Sequence, residues 1–525
     1  MAKYNAKTTG TTQVVVNAQG GEGIKLSPEM EMVSLLASGL DGRFYEKESD
    51  RESRLVEVIK TVGKKDPELV AKALVYARSV MGQRSVTHVG AVAAQSVLAG
   101  NPLATRFYGK RDHKKNQGGI VYRLDDILEI VAYYFLRNPG MPLPNAMKRG
   151  FKNALEAADT YELAKYQGKG RAVSLVDIVN LVRPKPSEKM QDTFKKLMNG
   201  ELKQFNTAED KNTKSGQLIA EKVKSGEITK EQAEIELTEA KAENWKQLIE
   251  DGTLGYLALL RNLRNITTVA SDDVFTKALN MLVDEKRVRK SLVFPHQIDI
   301  AFEILMNFYE VPQNRRNPLL TAINKAYELA IPNLSELFTH GRTAVVVDTS
   351  GSMRMCSVNM NINNSKRTNI NSKVIDKASL IGATLVKGIG ADLYSFDYDC
   401  RKMSYNPLDT INTIKNSVIQ RTTGGATIFS SIFSALDGKY DRVFVISDMQ
   451  GGDTILKNSS YQSYVRKYGQ PYIYSIDLQG YGTTMFKQNQ KLINLYGYSA
   501  DIYEQIKSCE INPKAILAEI RKIII

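Results

Sequence analysis

Three cysteines in 525 residues, Cys356, Cys400 and Cys509, are too few and too scattered for a disulfide framework or a zinc site, and they suit a reducing compartment. Nowhere does the chain run to about 20 consecutive apolar residues, which excludes a helical membrane span. The opening MAKYNAKTTG lacks the apolar core of a secretory signal, so a cytoplasmic location without a membrane partner is expected. The four histidines, His88, His113, His296 and His340, show no metal-ligand spacing and read as ordinary polar residues. GGEGIKLS puts Ile24 where a phosphate-binding loop needs lysine. The last third has no G-x-S-x-G elbow, and the first two thirds show neither clustered carboxylates nor a His pair suited to phosphodiester cleavage. These gaps lead us to expect a binding protein rather than an enzyme.

What the chain has is positive charge, unevenly placed. The formal net charge is +14. Residues 51–200 carry 26 Lys and Arg against 14 Asp and Glu, whereas residues 201–250 carry 8 against 11. The basic block includes GKRDHKK, MKRGFK and KYQGKGR. Solvated helix faces are the plain reading of such runs. A polyanion-binding surface is the favoured one, because clustered Lys and Arg release phosphate counterions on binding. Arg84, Arg106, Lys110, Arg111, Lys114, Lys115, Lys148, Arg149 and Arg171 lie in this block as candidates to line an RNA path. Phe107, Tyr108, Tyr122 and Tyr166 lie among them as candidates to stack bases. Core packing is the competing reading for these rings, and the favoured one for Tyr133 to Phe135.

From about residue 28 to 335 one helical segment follows another. SPEMEMVSLLASG opens with Ser27 as cap and Pro28 at the first helical position, and DPELVAKALVYARSVMG repeats that grammar with Asp66 and Pro67. Short helices with short connections predict paired helices stacked as an α-solenoid, with an irregular bundle as the alternative. Residues 201–243, highly charged and poor in aromatics, read as an exposed helical insertion. After His340 the grammar changes. TAVVVD, ADLYSF, RVFVISD and PYIYSIDL are buried-type strands separated by helical segments, which predicts a doubly wound parallel sheet. The expected organisation is multidomain: an all-α part over 1–340 and an α/β part over 341–525.

In the second part, Asp348 ends a strand, Ser350 and Ser352 follow it, Thr427 comes after a glycine pair, and Asp448 ends another strand. Ligands of such sheets bind beyond the carboxyl ends of the strands. Five oxygen donors from three loops would suit a hard cation, Mg²⁺ first and Mn²⁺ or Ca²⁺ next, with water or an acidic partner group completing the shell. Each residue alone is also an ordinary turn or cap residue.

D-x-S-x-S after AVVV, with the later Thr427 and Asp448, resembles the von Willebrand factor A domain and its metal-ion-dependent adhesion site. The order of parts, together with MPLPNAMKRGFKNALEAADTYELAKYQGKGR, SLVDIVNLVRPKPS and NWKQLIEDGTLGYLALLRNLRNI, resembles the Ro autoantigen family, whose helical portion is the TROVE domain. The C-terminal LYGYSADIYEQI is also similar. The resemblance implies a single-chain ring of HEAT-like helices closed by the A domain. It further implies a central hole for single-stranded ends of misfolded RNA, and an outer surface for small structured Y RNAs that includes Lys165, Lys169, Arg183 and Lys185. An exoribonuclease is an implied partner in some relatives. The chain departs from the family in two places: Arg183 stands where His is usual, and GGAT replaces GGT followed by an acid. A metal-dependent adhesion module that recruits an acidic protein is the competing expectation.

Overall fold

The computed structural model describes residues 13–525 except 41–42, 44, 203–207, 292, 294, 308–310, 332–340, 356, 361–369, 422–423, 454, 456–457, 488, 490, 498–501, 503–505 and 507–514. Cys356, Cys509, His340 and the side chain of His296 therefore lie outside the described residues, as does part of LYGYSADIYEQI.

Helices follow one another from Pro28 to Leu329, and their ends obey the local chemistry of the sequence. Ser27 caps Pro28–Ser38 by accepting the Met30 amide, and Gly39 ends that helix at φ 81°. Asp66 caps Pro67–Ser79 by accepting the Leu69 amide at 2.9 Å. Leu124–Arg137, Leu175–Val182, Tyr256–Val269, Asp272–Leu282 and Pro295–Asn307 occupy the remaining periodic segments. Neighbouring helices bury one face each against the next, as a stacked array requires. The charged insertion forms two helices, Ala208–Lys224 and Lys230–Glu250, that pack on each other. Its second helix runs into the core, where Trp245, Leu248 and Ile249 are buried. The helical part also holds a small hairpin, Arg111–Asp112 with Gln117–Gly118, which helical periodicity did not predict.

The C-terminal part is built on a six-stranded sheet. Its order is Leu492–Tyr496, Tyr472–Asp477, Arg442–Ser447, Thr343–Asp348, Asp392–Phe396, Cys400–Met403. All neighbours are parallel except the last pair, in which Cys400–Met403 runs antiparallel as an edge strand. Every residue of Thr343–Asp348 is buried, so its three valines each contribute roughly 1.5–3 kcal/mol of apolar transfer. From this central strand the chain passes to Asp392–Phe396 on one side and later to Arg442–Ser447 on the other. The switch point therefore lies between the strands that end in Asp348 and Ser447.

The chain ends are exchanged between the two parts. Near the N-terminus, Val14–Val16 and Glu22–Lys25 form an antiparallel hairpin whose second strand pairs with Thr483–Thr484 of the sheet part. Ala515–Arg521 instead packs on Pro67–Ser79, and its Ile516 and Ile520 join the helical core. The helical array also meets the sheet part near both of its own ends. Arg51 and Arg54 bond the Gly480 carbonyl from the early helices. From the late ones, Asp299 takes Lys415 at 2.6 Å and Asn324 takes Asn412 at 3.0 Å.

Candidate cation site and nucleic-acid interface

The oxygen cluster forms at the switch point. Asp348, Ser350, Ser352, Thr427 and Asp448 come from three loops at the carboxyl edge, and none is more than 4% exposed. The loop after Asp348 is fixed by backbone bonds: the Thr349 amide donates to the Phe396 carbonyl at 2.7 Å and the Gly351 amide to the Gly425 carbonyl at 3.1 Å. A Cβ at Gly351 would sit 2.9 Å from the Gly424 carbonyl oxygen, so this close approach requires glycine. Ser350 and Ser352 hydroxyls lie 3.3 Å apart. Asp348 accepts the Ser350 amide at 2.9 Å on one oxygen and the Ser447 hydroxyl at 2.5 Å on the other. Asp448 accepts the Gln450 amide on Oδ1, while its buried Oδ2 has no hydrogen-bond partner.

Burial dominates the electrostatics here. It pushes the Asp348 carboxyl up to about 6, with hydrogen bonds from Ser447 and Ser350 opposing and the charge of Asp397 adding. Asp448 is raised well above the usual carboxylate range by burial and then by the charge of Asp348. Among the described residues no group of three or more His, Cys, Asp and Glu side chains gathers to hold a metal. The donor set is instead two carboxylates and three hydroxyls, all hard oxygen. A cation between Asp348 and Asp448 would offset their mutual repulsion and give the orphaned Oδ2 a partner, so the residues fit a hard divalent ion.

The expected cationic residues fall into three groups. Arg106, Lys114, Lys115, Arg149, Lys165, Lys169, Arg171, Arg183 and Lys185 are exposed, and Arg84, Lys110 and Lys148 are half-buried. Arg111 is a correction. It is 2% exposed and spends its guanidinium on the Gly118 carbonyl and on the carbonyl and side chain of Asn116, so it braces the 111–118 hairpin instead of lining an RNA path. Phe107 and Tyr108 are fully buried and serve as core. In the Tyr133–Phe135 run Tyr134 is buried and Tyr133 packs half-buried against the core, whereas Phe135 is exposed.

The structure brings some of the exposed group together through contacts the sequence did not reveal. Asp125 takes Arg84 at 2.8 Å and also binds Arg123. The Arg123 guanidinium lies over the Tyr166 ring at 5.3 Å, and the Lys165 ammonium lies 5.6 Å from the same ring. Lys165 also bonds the Tyr161 hydroxyl at 3.1 Å. Burial raises the Tyr166 hydroxyl pKa, with Arg123 and Lys165 opposing it. The result is a half-exposed tyrosine contacted by two cations, linked to Arg84 through Arg123 and Asp125 and to Tyr161 through Lys165.

Buried Asp126 pins this tract from beneath. It accepts Arg78 at 3.0 Å, His88 at 2.9 Å and the amides of Tyr122 and Arg123. Its carboxyl pKa is lowered to about 2, because bonds and charge from His88 and Arg78 outweigh the desolvation that opposes them. Tyr122 lies under Arg78 at 4.9 Å. Past the lysine loop, Arg183 closes Leu175–Val182 in the left-handed region at φ 49°. The Lys185 amide donates to Glu156 at 2.6 Å.

Sequence reasoning missed Arg123 and Tyr161. The signal for Arg123 was YRLDD, an arginine just before a buried acid pair. It also missed the Asn17–Gly21 turn, flanked by VVV and EGIK, whose Gln19 donates its side-chain amide to Thr427 Oγ1 at 3.0 Å.

An array of helices with an exposed cationic and aromatic tract, joined near both ends to a doubly wound sheet that fits a von Willebrand factor A-like domain, defines a two-part protein. One part exposes cationic side chains, and the other gathers oxygens at the carboxyl edge of its sheet. The chain belongs to the TROVE domain family, whose model matches residues 26–236 and 222–354. The two matched segments meet within the charged insertion. The Ro-family resemblance read from the sequence therefore stands, and that family is one of RNA-binding proteins. The crystal structure of the Deinococcus radiodurans RO (RSR) protein shares the fold, with a TM-score of 0.57 at 16% identity over 92% of this chain and 99% of that one. Telomerase protein component 1 of Rattus norvegicus is 21% identical over 340 residues, and that of Mus musculus 22% over 330. These matches take in 53% and 51% of this chain but only 13% and 12% of those longer proteins. Among the described residues no helix is long and apolar enough to cross a membrane.

Proposed function

We propose that the chain is an RNA-binding protein of noncoding-RNA quality control, acting in the cytoplasm as a single-chain ring without an enzymatic step. In this reading a small Y-like RNA lies on the outer basic surface, held by Lys165, Lys169, Arg171, Arg183 and Lys185. Single-stranded ends of misfolded or damaged RNA enter a central hole, from which an exoribonuclease partner would receive them. The contacts of the helical array with the sheet part near both ends support closure. The observation that carries the proposal is the Arg84–Arg123–Tyr166–Lys165–Tyr161 tract. Two cations gathered at one half-exposed ring suit the phosphates of a polynucleotide backbone.

Filter binding of a structured small RNA across a salt series tests it. Affinity should fall steeply with salt, and replacing Lys165, Lys169 and Arg183 together should weaken binding while leaving the melting curve intact. A flat salt response would overturn the proposal, and an unchanged affinity in the triple variant would overturn the site.

A second reading rests on the oxygen cluster: with Mg²⁺ bound, Asp348, Ser350, Ser352, Thr427 and Asp448 would recruit an acidic protein partner. Mg²⁺-dependent capture of a protein that survives nuclease treatment would favour it. Cleavage of RNA by nuclease-free protein, abolished by Asp348→Ala, would restore an enzymatic role.

A further inference from the structure

The oxygen cluster is covered by the chain itself. The cover is the Asn17–Gly21 turn of the N-terminal hairpin, held from both sides. Asn17 organises the turn internally by accepting the Gln19 amide at 2.9 Å and the Gly21 amide at 3.2 Å on its side-chain oxygen. The same side chain donates to the Gly451 carbonyl at 2.7 Å. The Ala18 amide donates to Gln450 Oε1 at 2.9 Å, and Gln450 Nε2 reaches Thr483 Oγ1 at 3.0 Å, so Gln450 ties the turn to the strand that pairs with the hairpin. A Cβ at Gly21 would sit 2.1 Å from the Gly451 carbonyl oxygen, a contact only glycine permits. The turn is thus fastened to the residues immediately after Asp448.

This anchoring brings one side chain to the cluster. Gln19 Nε2 lies 3.0 Å from Thr427 Oγ1. Neighbouring ligand atoms of an octahedral magnesium site are separated by about 3 Å, the edge of an octahedron whose bonds are about 2.1 Å. The Ser350 and Ser352 hydroxyls, 3.3 Å apart, are close to the same spacing. Rotation of the Gln19 amide about its last torsion exchanges Nε2 for Oε1 at that position, and an amide oxygen is a suitable donor to a hard cation.

We infer that Gln19 is a ligand carried in cis. The N-terminal hairpin delivers its amide oxygen to the cation site at the position an external carboxylate would otherwise take. The inference rests on reading the cluster as a divalent-cation site, and it specifies what completes that site. An acidic partner then gains access only when the turn lifts, and the strand Glu22–Lys25 must loosen from Thr483–Thr484 for that to happen.

The test uses the full chain stripped of metal and titrated with MgCl₂ by calorimetry, comparing wild type, Gln19→Ala, Gln19→Glu and the double variant Asp348→Ala with Asp448→Ala. Gln19→Ala should weaken Mg²⁺ binding about tenfold, and Gln19→Glu, which offers a charged oxygen at the same reach, should tighten it by a similar factor. Mg²⁺ should slow hydrogen exchange across residues 14–25 in wild type and not in Gln19→Ala. Melting temperatures should agree in EDTA and separate in Mg²⁺; a merely structural Gln19 would shift both alike and overturn the inference. A short acidic peptide should bind Mg²⁺-loaded Gln19→Ala and not wild type. Equal Mg²⁺ affinity in wild type and both Gln19 variants overturns the inference and leaves the cation site standing. Failure of wild type to bind Mg²⁺, or binding that survives loss of both aspartates, overturns the cation reading itself.

Discussion

At the carboxyl edge of the sheet, five oxygen-bearing side chains from three loops are almost sealed from water. On the helical array, nine of the thirteen expected cationic side chains stand in it. The first group, in the cation reading proposed above, would take a small ion, and burial raises the pKa of both its carboxyls. The second, in the proposed RNA reading, would take a large polyanion, its members keeping their hydration until phosphates replace it. Short loops and backbone bonds position the oxygens. The cations are positioned less directly, by a buried acid pair beneath them. On those proposals, precision is built in before binding at one site and acquired on binding at the other.

The harshest way to break this contrast is to remove the support under the basic tract. Asp126→Asn should cost roughly 3–5 kcal/mol in urea unfolding, because it leaves Arg78 buried without its ion partner. The same carboxyl fixes an acid limb. Its folded pKa of about 2 lies below the usual aspartate value of 3.8, so its contribution is present above pH 4 and lost as pH falls toward 2. Asp126→Asn should flatten that limb in pH-dependent melts.

Removing Lys165, Lys169 and Arg183 together should reduce affinity for structured RNA on the order of 100-fold near physiological salt and shallow the salt slope by about two to three. EDTA should leave wild-type RNA affinity within about twofold; an equal loss in EDTA would mean that the two sites act as one.

The junction between the parts offers a smaller probe. Burial, then Asp299, raises the Glu303 carboxyl to about 7 from the usual glutamate value of 4.5, with Lys415 opposing. A raised carboxyl pKa stabilises the fold below about pH 4.5 and loses that contribution as pH climbs through 7. Glu303→Gln should remove on the order of 1–2 kcal/mol of that pH dependence, read from melts between pH 4 and 8. Smallest is Arg183→Gly. Relief of a left-handed arginine should raise stability by about 1 kcal/mol while RNA affinity falls severalfold in filter binding. A variant that gains stability and keeps affinity would show that Arg183 is strained for some other reason.

The sheet part was legible because its signals are local. An apolar run ending in D-x-S-x-S predicts both a central strand and the oxygens beyond it, and Thr427 and Asp448 sit in equally short patterns. The strands Cys400–Met403 and Leu492–Tyr496 escaped notice because neither stands out as an apolar run between helical segments. In the helical part, caps such as Ser27 and Asp66 marked helix starts, yet charge alone did not say which way a side chain points. Arg111 and Lys114 share one hairpin, and only Lys114 faces solvent. Arg123 escaped because its value lies in a ring, Tyr166, more than 40 residues away. Gln19 escaped for the same reason on a larger scale: Thr427 is 408 positions distant.

The exchange of chain ends has a consequence for how the molecule comes into being. A ribosome releases Val14–Lys25 long before it has made Thr483–Thr484, so the first hairpin waits, unpaired at its outer edge, through most of translation. The early helices likewise lack the Ala515–Arg521 cover until the last residues emerge. Each part is completed by a segment that lies beyond the other in the chain, and a cut near residue 340 would leave two fragments that each hold a piece of the other.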